Sequence, residues 1–205
     1  EYFTPQLAEL RVPCLLLTNS AATLNIPNLS SVSVDDVSAS SLMIEYLYAQ
    51  GHRKIGLIGG KPDQSRPSLS RLTGSQSAMF RLGLPFEMEK QYAYARFSLQ
   101  SGYTAMEYLL KHCPDITAVF AMSDLMALGA IRALNDHGLR VPQDISVSGY
   151  DGIALGRYSN PRLTTIRQNS ERLAQRGAEI LLNCIENGSS AVHEAVSYTH
   201  LTLPT

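Results

Sequence analysis

The chain has no surplus of charge, no long apolar run and few cysteines, and each lack removes a class of function. Lys and Arg number 17 against 18 Asp and Glu, for a formal net charge of −1. Without a basic surplus there is nothing to neutralise a phosphate backbone, so these residues alone should not bind nucleic acid strongly. Apolar runs such as those at residues 14–17 and 55–60 are far shorter than the roughly 18–20 residues a membrane span needs. The opening residues, EYFTPQLAEL, contain neither an apolar signal-peptide core nor an initiator Met, and read as a start inside a longer protein.

Cysteine is scarce and scattered. Cys14, Cys113 and Cys184 are odd in number, without a C-x-x-C pair and without His at ligand spacing, which argues against a disulfide framework or a zinc site. They read as small, semi-buried side chains in a reducing cytoplasm. Catalytic signatures are missing too: there is no G-x-S-x-G elbow, no H-E-x-x-H and no G-x-x-x-x-G-K-[ST]. Gly59-Gly60 is followed by Lys61-Pro62 and reads as a tight turn rather than a phosphate loop. The five His are dispersed, three of them at helix ends where a partial positive charge suits the dipole. The chain is therefore expected to be neither an enzyme nor a holder of a metal or cofactor.

What is present is an alternation. At 205 residues and 44% hydrophobic content, the chain is long enough to bury a sizeable core. Short β-rich runs occur at residues 12–17, 31–35, 54–60, 91–97, 118–123, 145–150 and 164–168. Helical spacing fills most of the gaps, as in residues 38–50 (Leu42, Met43, Tyr46, Leu47), 124–137 (Leu128, Ile131, Leu134) and 170–187 (Leu173, Gly177, Ile180, Cys184). Gly51, Gly83, Gly138 and Gly188 each follow a helical stretch, where a left-handed residue ends a helix at least cost. Ser123 or Asp124 starts one helix and Ser170 another. Four strand–helix units between residues 54 and 151 predict an α/β fold with a doubly wound parallel sheet.

Ligands of such sheets sit at the carboxyl ends of the strands. Reading each strand to its end gives Thr18 and Asn19, Phe97, Ser123 with Asp124, and Asp151, and Arg71 follows on the helix after Gly60. A carboxylate, a guanidinium fork, a hydroxyl and an aromatic face together suit a polyol. One aromatic against several polar groups favours a mono- or disaccharide, phosphorylated or not, over a nucleobase. Taken singly, Asp124 is an ordinary helix cap, Phe97 a core residue and Arg71 a surface ion-pair partner. Their shared location is what points to a site.

The segments GHRKIGLIGG, RLTGS, VFAMSDLMALGAIRALNDHGLRVPQDISVSGYDG and NPRLTTIRQN, in that order and spacing, resemble the effector-binding core of the lactose/galactose repressor (LacI/GalR) family of transcription regulators. The resemblance covers about residues 5–196. It implies a periplasmic-binding-protein-like fold of two α/β lobes with an effector between them, the N-terminal lobe being incomplete. Residues 1–35 would end the N-terminal lobe, 36–161 form the C-terminal lobe, 162–196 return to the first, and 197–205 (SYTHLTLPT) form a non-native tail. It also implies effector contacts at Arg71 and Asp151, an aromatic platform at Phe97, polar contacts at Gln168 and at Thr18 or Asn19, and a wall residue at Val34. Ser123 stands where the family has Asn, which alters the hydrogen-bond pattern there. The implied function is sensing of a sugar-like small molecule by a cytoplasmic repressor, homodimeric at full length, that reaches operator DNA only through a headpiece outside these residues. The alternatives are a periplasmic sugar-binding protein of an uptake system and a small enzyme of the same fold class.

Overall fold

The structure is a computed structural model, which describes residues 4–9, 11–188, 190–196 and 199–202. The elements begin with α1 (Thr4–Glu9), β1 (Cys14–Leu17), β2 (Leu29–Val34) and α2 (Asp36–Ala49). Next come β3 (Ile55–Gly59), α3 (Arg66–Arg81), α4 (Met88–Gln91), β4 (Tyr92–Tyr94) and α5 (Leu99–His112). They continue through β5 (Ala118–Ala121), α6 (Asp124–Asp136), β6 (Ser146–Asp151), α7 (Leu155–Tyr158) and β7 (Thr164–Gln168). The chain closes with α8 (Ser170–Asn187), β8 (His193–Val196) and β9 (Thr199–Thr202). It divides into two compact units: residues 1–35 with 169–199, and residues 36–168 with 200–205.

The larger unit carries a six-stranded sheet of order β4-β3-β5-β6-β7-β9, in which the pairs from β4 to β7 are parallel. Numbered from β3, that is the flavodoxin-like order 2-1-3-4-5, whose reversal lies between β3 and β5. Strands β3 and β5 are buried on both faces, as their unbroken apolar runs require. Helices pack in pairs at close range because glycines leave room. A Cβ at Gly102 would strike the Met126 carbonyl, and one at Gly129 the Leu99 carbonyl, so α5 and α6 meet backbone to backbone. Gly74 does the same for α3 against Val37.

The helix ends follow the predicted chemistry. Gly51, Gly83, Gly138 and Gly188 all have positive φ. Ser123 caps α6 by accepting from the Met126 N–H, and Ser98 forms a capping box with Ser101 on α5. The cap of α8 is Asn169, which accepts from the Arg172 N–H, and not Ser170. His52 does more than face a helix dipole. Its ring nitrogens lie 2.9 Å from Thr117 Oγ1 and 3.0 Å from Ser146 Oγ, tying the starts of three strands together, and burial lowers its pKa.

Three expected boundaries shift. The strand expected over residues 91–97 is only β4, because Gln91 ends α4 with its side chain bonded to the Ile55 carbonyl, and Ser98 already starts α5. Residues 162–168, assigned from the sequence to the returning segment, belong to the larger unit. There β7 pairs with β6 from Ser148↔Thr164 to Asp151↔Arg167, and Leu163 and Ile166 are buried in that unit's core. The twelve residues between these parallel strands hold α7, the crossover such a pair demands. Of the segment expected to be a non-native tail, residues 199–202 form β9 beside β7, and 197, 198 and 203–205 lie outside the described residues.

The smaller unit has a three-stranded parallel sheet, β1-β2-β8, covered by α8. Its core is Val32, Val34, Leu173, Ile180, Cys184 and Val196. A second small cluster of Ala21, Ile26 and Leu29 fills the helix-free connection between β1 and β2.

Candidate functional site: a polar crevice at the strand ends of the larger unit

The sheet order predicts a crevice where β3 and β5 end, and a buried polar network lies there. Arg71, from the second turn of α3, is only 6% exposed. Its Nε donates to Asp36 Oδ1 at 2.9 Å and its Nη1 to the Met122 carbonyl, one residue past β5, at 2.5 Å. The guanidinium carbon lies 3.7 Å from the ring centroid of Tyr150. Tyr150 in turn donates its hydroxyl to the same Asp36 oxygen at 2.6 Å. Burial, and then the Asp36 carboxylate, hold that phenol protonated far above its ordinary range. A charge taken out of water persists only when paired and hydrogen-bonded, and Arg71 has both kinds of partner.

One residue beyond, Asp151 brings a second carboxylate. Its Oδ1 accepts from Gln168 Nε2 at 2.7 Å and lies 4.0 Å from Arg71 Nη1. Burial pushes its pKa up to about 6, against the pull of the Arg71 charge, with Asp124 and Asp36 adding repulsion. Asp151 also has φ +118, a conformation that non-glycine residues rarely adopt and that costs about 1–3 kcal/mol. The backbone turn there aims the side chain out of the strand end. Arg71, Asp151 and Gln168 are thus brought together as expected from the sequence, and the side chain of Asp151 remains 32% exposed.

Phe97 is near this point, though not at a strand end. It follows β4 by three residues, has φ +53 and is 36% exposed. Its ring lies against Gly60, where a Cβ would come within 3.0 Å of it, so the glycine at the end of β3 makes the seat for the ring. Ser123 is buried and spends its hydroxyl on capping α6. Asp124 is more than a cap. It accepts from Thr165 Oγ1 at 2.5 Å and from the Ile153 N–H at 2.8 Å, and so pins the loop after β6, while burial raises its pKa. Thr18, Asn19 and Val34 lie in the smaller unit. Thr18 (φ +67) and Asn19 are exposed just past β1, whereas Val34 is buried in that unit's core.

Sequence reasoning missed Asp36, the acceptor on which Arg71 and Tyr150 converge. The only signal was the Asp35-Asp36 pair ahead of a helix, which reads equally well as acidic residues favoured in a first turn.

In open parallel sheets, a polar crevice at the strand ends is the place where small molecules bind. Residues 44–203 match the periplasmic binding protein-like domain, and the chain belongs to that family, among the effector-binding domains of LacI-type regulators. Over 172 residues it is 34% identical to the HTH-type transcriptional regulator CelR of Thermobifida fusca, covering 84% of this chain and 50% of that protein. It resembles the solved transcriptional regulator CelR–cellobiose complex with a TM-score of 0.85 and 30% identity, over 98% of this chain and 68% of the other. A LacI family transcriptional regulator from Enterococcus faecium, solved with bound ribose, is similar at TM-score 0.79 and 27% identity, over 93% and 69% of the two chains. The chain spans about half the length of the curated relatives it matches.

Proposed function

We propose that the chain is the effector-binding core of a transcriptional repressor, and that its effector is a mono- or disaccharide held at the crevice formed by Arg71, Asp151, Gln168 and Phe97. The observation that carries this reading is the Arg71–Asp151–Gln168 arrangement, in which Arg71, bonded just past the end of β5, meets the carboxyl ends of β6 and β7. Adjacent sugar hydroxyls donate to the carboxylate and accept from guanidinium and amide, while the exposed ring of Phe97 offers a flat face to the C–H side. The cellobiose and ribose held by the two similar structures support the same class.

In this reading the residues perform no chemistry. Asp36 fixes Arg71, the Asp124 staple fixes the turn that carries Asp151, and the effector acts only through its difference in affinity between two states of the protein. Operator binding would fall to a helix-turn-helix outside these residues, in a cytoplasmic homodimer. That the relatives are transcriptional regulators favours a repressor over an uptake protein or an enzyme. No helix among the described residues is long and apolar enough to cross a membrane.

A thermal-shift screen of mono- and disaccharides, sugar phosphates and nucleosides on this chain tests the proposal. A true effector at 100 times its Kd stabilises the folded state by about 2.7 kcal/mol. A response to sugars is the expected result; a response confined to nucleosides would replace the ligand class, and none at all would remove the site.

A further inference from the structure

A second cavity of about 450 Å³ lies on the far side of edge strand β4, roofed by α5 and floored by α4. It is separate from the crevice. Three tyrosine rings line it, those of Tyr92, Tyr94 and Tyr108, together with Met88, Thr104 and the carboxylate-bearing Glu89.

Each ring is already held in place. Tyr92 is buried, and its hydroxyl donates to the Gly60 carbonyl at 2.6 Å. Tyr94 stands edge-on to Tyr92 at 5.4 Å between centroids and is 55% exposed. Tyr108 donates to the Glu89 carbonyl at 2.6 Å, and its ring stacks on His112 at 3.9 Å. Rings that do not have to be ordered on binding lose little entropy to a ligand.

The charge pattern narrows the ligand. No Lys or Arg lines the cavity. The neighbouring Lys90 is turned to Glu87, 2.6 Å away, whereas Glu89 enters no ion pair among the described residues. The faces of aromatic rings are electron-rich, and rings grouped with a carboxylate and no competing cation attract an ammonium group. A polyol would find the hydroxyls of Thr104 and Tyr94 and one carboxylate, with no guanidinium or amide side chain in the lining to donate to its oxygens. A volume of this size accepts a small molecule and not a folded partner.

We propose that this cavity is a binding site for a small organic cation, a primary or quaternary amine, distinct from the crevice and independent of what the crevice binds. The test is calorimetric titration of this chain with choline, and with its neutral isostere 3,3-dimethylbutan-1-ol. The proposal expects choline to bind at least tenfold more tightly than the isostere, and Tyr94→Ala and Glu89→Gln each to weaken choline by tenfold or more. Leu182→Ala, which alters an exposed side chain of α8 outside both sites, should leave choline affinity unchanged. Equal affinity for the neutral isostere, or choline affinity indifferent to both Tyr94→Ala and Glu89→Gln, would overturn the assignment, as would the absence of any choline binding. The two cavity variants change side chains that are exposed, so loss of binding would not reflect loss of the fold, and circular dichroism checks this.

Discussion

The two units use glycine and burial in opposite ways. In the larger unit Gly102, Gly129 and Gly74 let backbone meet backbone, so the helices flanking the crevice have no slack. In the smaller unit Gly177 of α8 faces only the ends of Leu15 and Leu17, 2.6 and 2.7 Å from where a Cβ would stand, and leucine ends can move. The larger unit buries charged side chains (Asp36, Arg71, Asp124) with partners for each, while the buried polar side chains of the smaller unit, Ser30, Ser31 and Ser33, are uncharged. Chemical specificity therefore has a rigid home in the larger unit. The candidates from the smaller unit, Thr18 and Asn19, sit on an exposed strand end with nothing comparable around them.

The comparison breaks most readily at Asp36. Asp36→Ala leaves the Arg71 guanidinium buried without its carboxylate and the Tyr150 hydroxyl without its acceptor. Removing one partner of a buried pair costs about 3–5 kcal/mol, which urea unfolding should register as a large loss; a change below about 1 kcal/mol would mean the network is not rigid. Next comes Gly129→Ala. The added methyl meets the Leu99 carbonyl, and overpacking of this kind costs on the order of 1–3 kcal/mol. Gly177→Ala meets only movable side chains and gains about 1 kcal/mol of helix propensity, so its net effect should stay within about 1 kcal/mol of zero. Equal losses at the two glycines would erase the contrast between the units.

The smallest effect is pH-dependent. Asp151 keeps its proton up to about pH 6 in the folded chain, while in the unfolded chain it gives the proton up near the ordinary aspartate value. Folding therefore draws stability from the protonated form at low pH, and loses it as pH rises through about 6. Asp151→Asn has no charge to bury and tolerates positive φ. Scanning calorimetry should find it more stable than the wild type at about pH 7.5, with the advantage gone near pH 4.

Much of this was legible in the sequence, for identifiable reasons. Period-2 and helical patterns located the sheet order's raw material, and the four glycines after helices marked true left-handed caps. Arg71 and Asp151 were singled out because strand ends are where open parallel sheets bind ligands, and Gln168 only through the family resemblance. What escaped depended on tertiary pairing. Residues 162–168 look like an ordinary strand in any sheet, and only pairing with β6 assigns them to the larger unit. The burial of Val34 is decided by α8 and β8, far away in sequence. His52 read as a helix-end charge, and Asp36 escaped altogether, because the groups they bond lie on other elements.

Isothermal titration with the sugar that gives the largest shift in the thermal-shift screen tests the central claim most directly, comparing this chain with Arg71→Ala and Asp151→Ala. The account predicts binding to the wild type and a loss of about 1.5–3 kcal/mol in each variant, the worth of a charge-assisted hydrogen bond, with a folded chain in the Asp151 case. Binding that is undiminished in both variants would contradict it and move the effector away from the crevice.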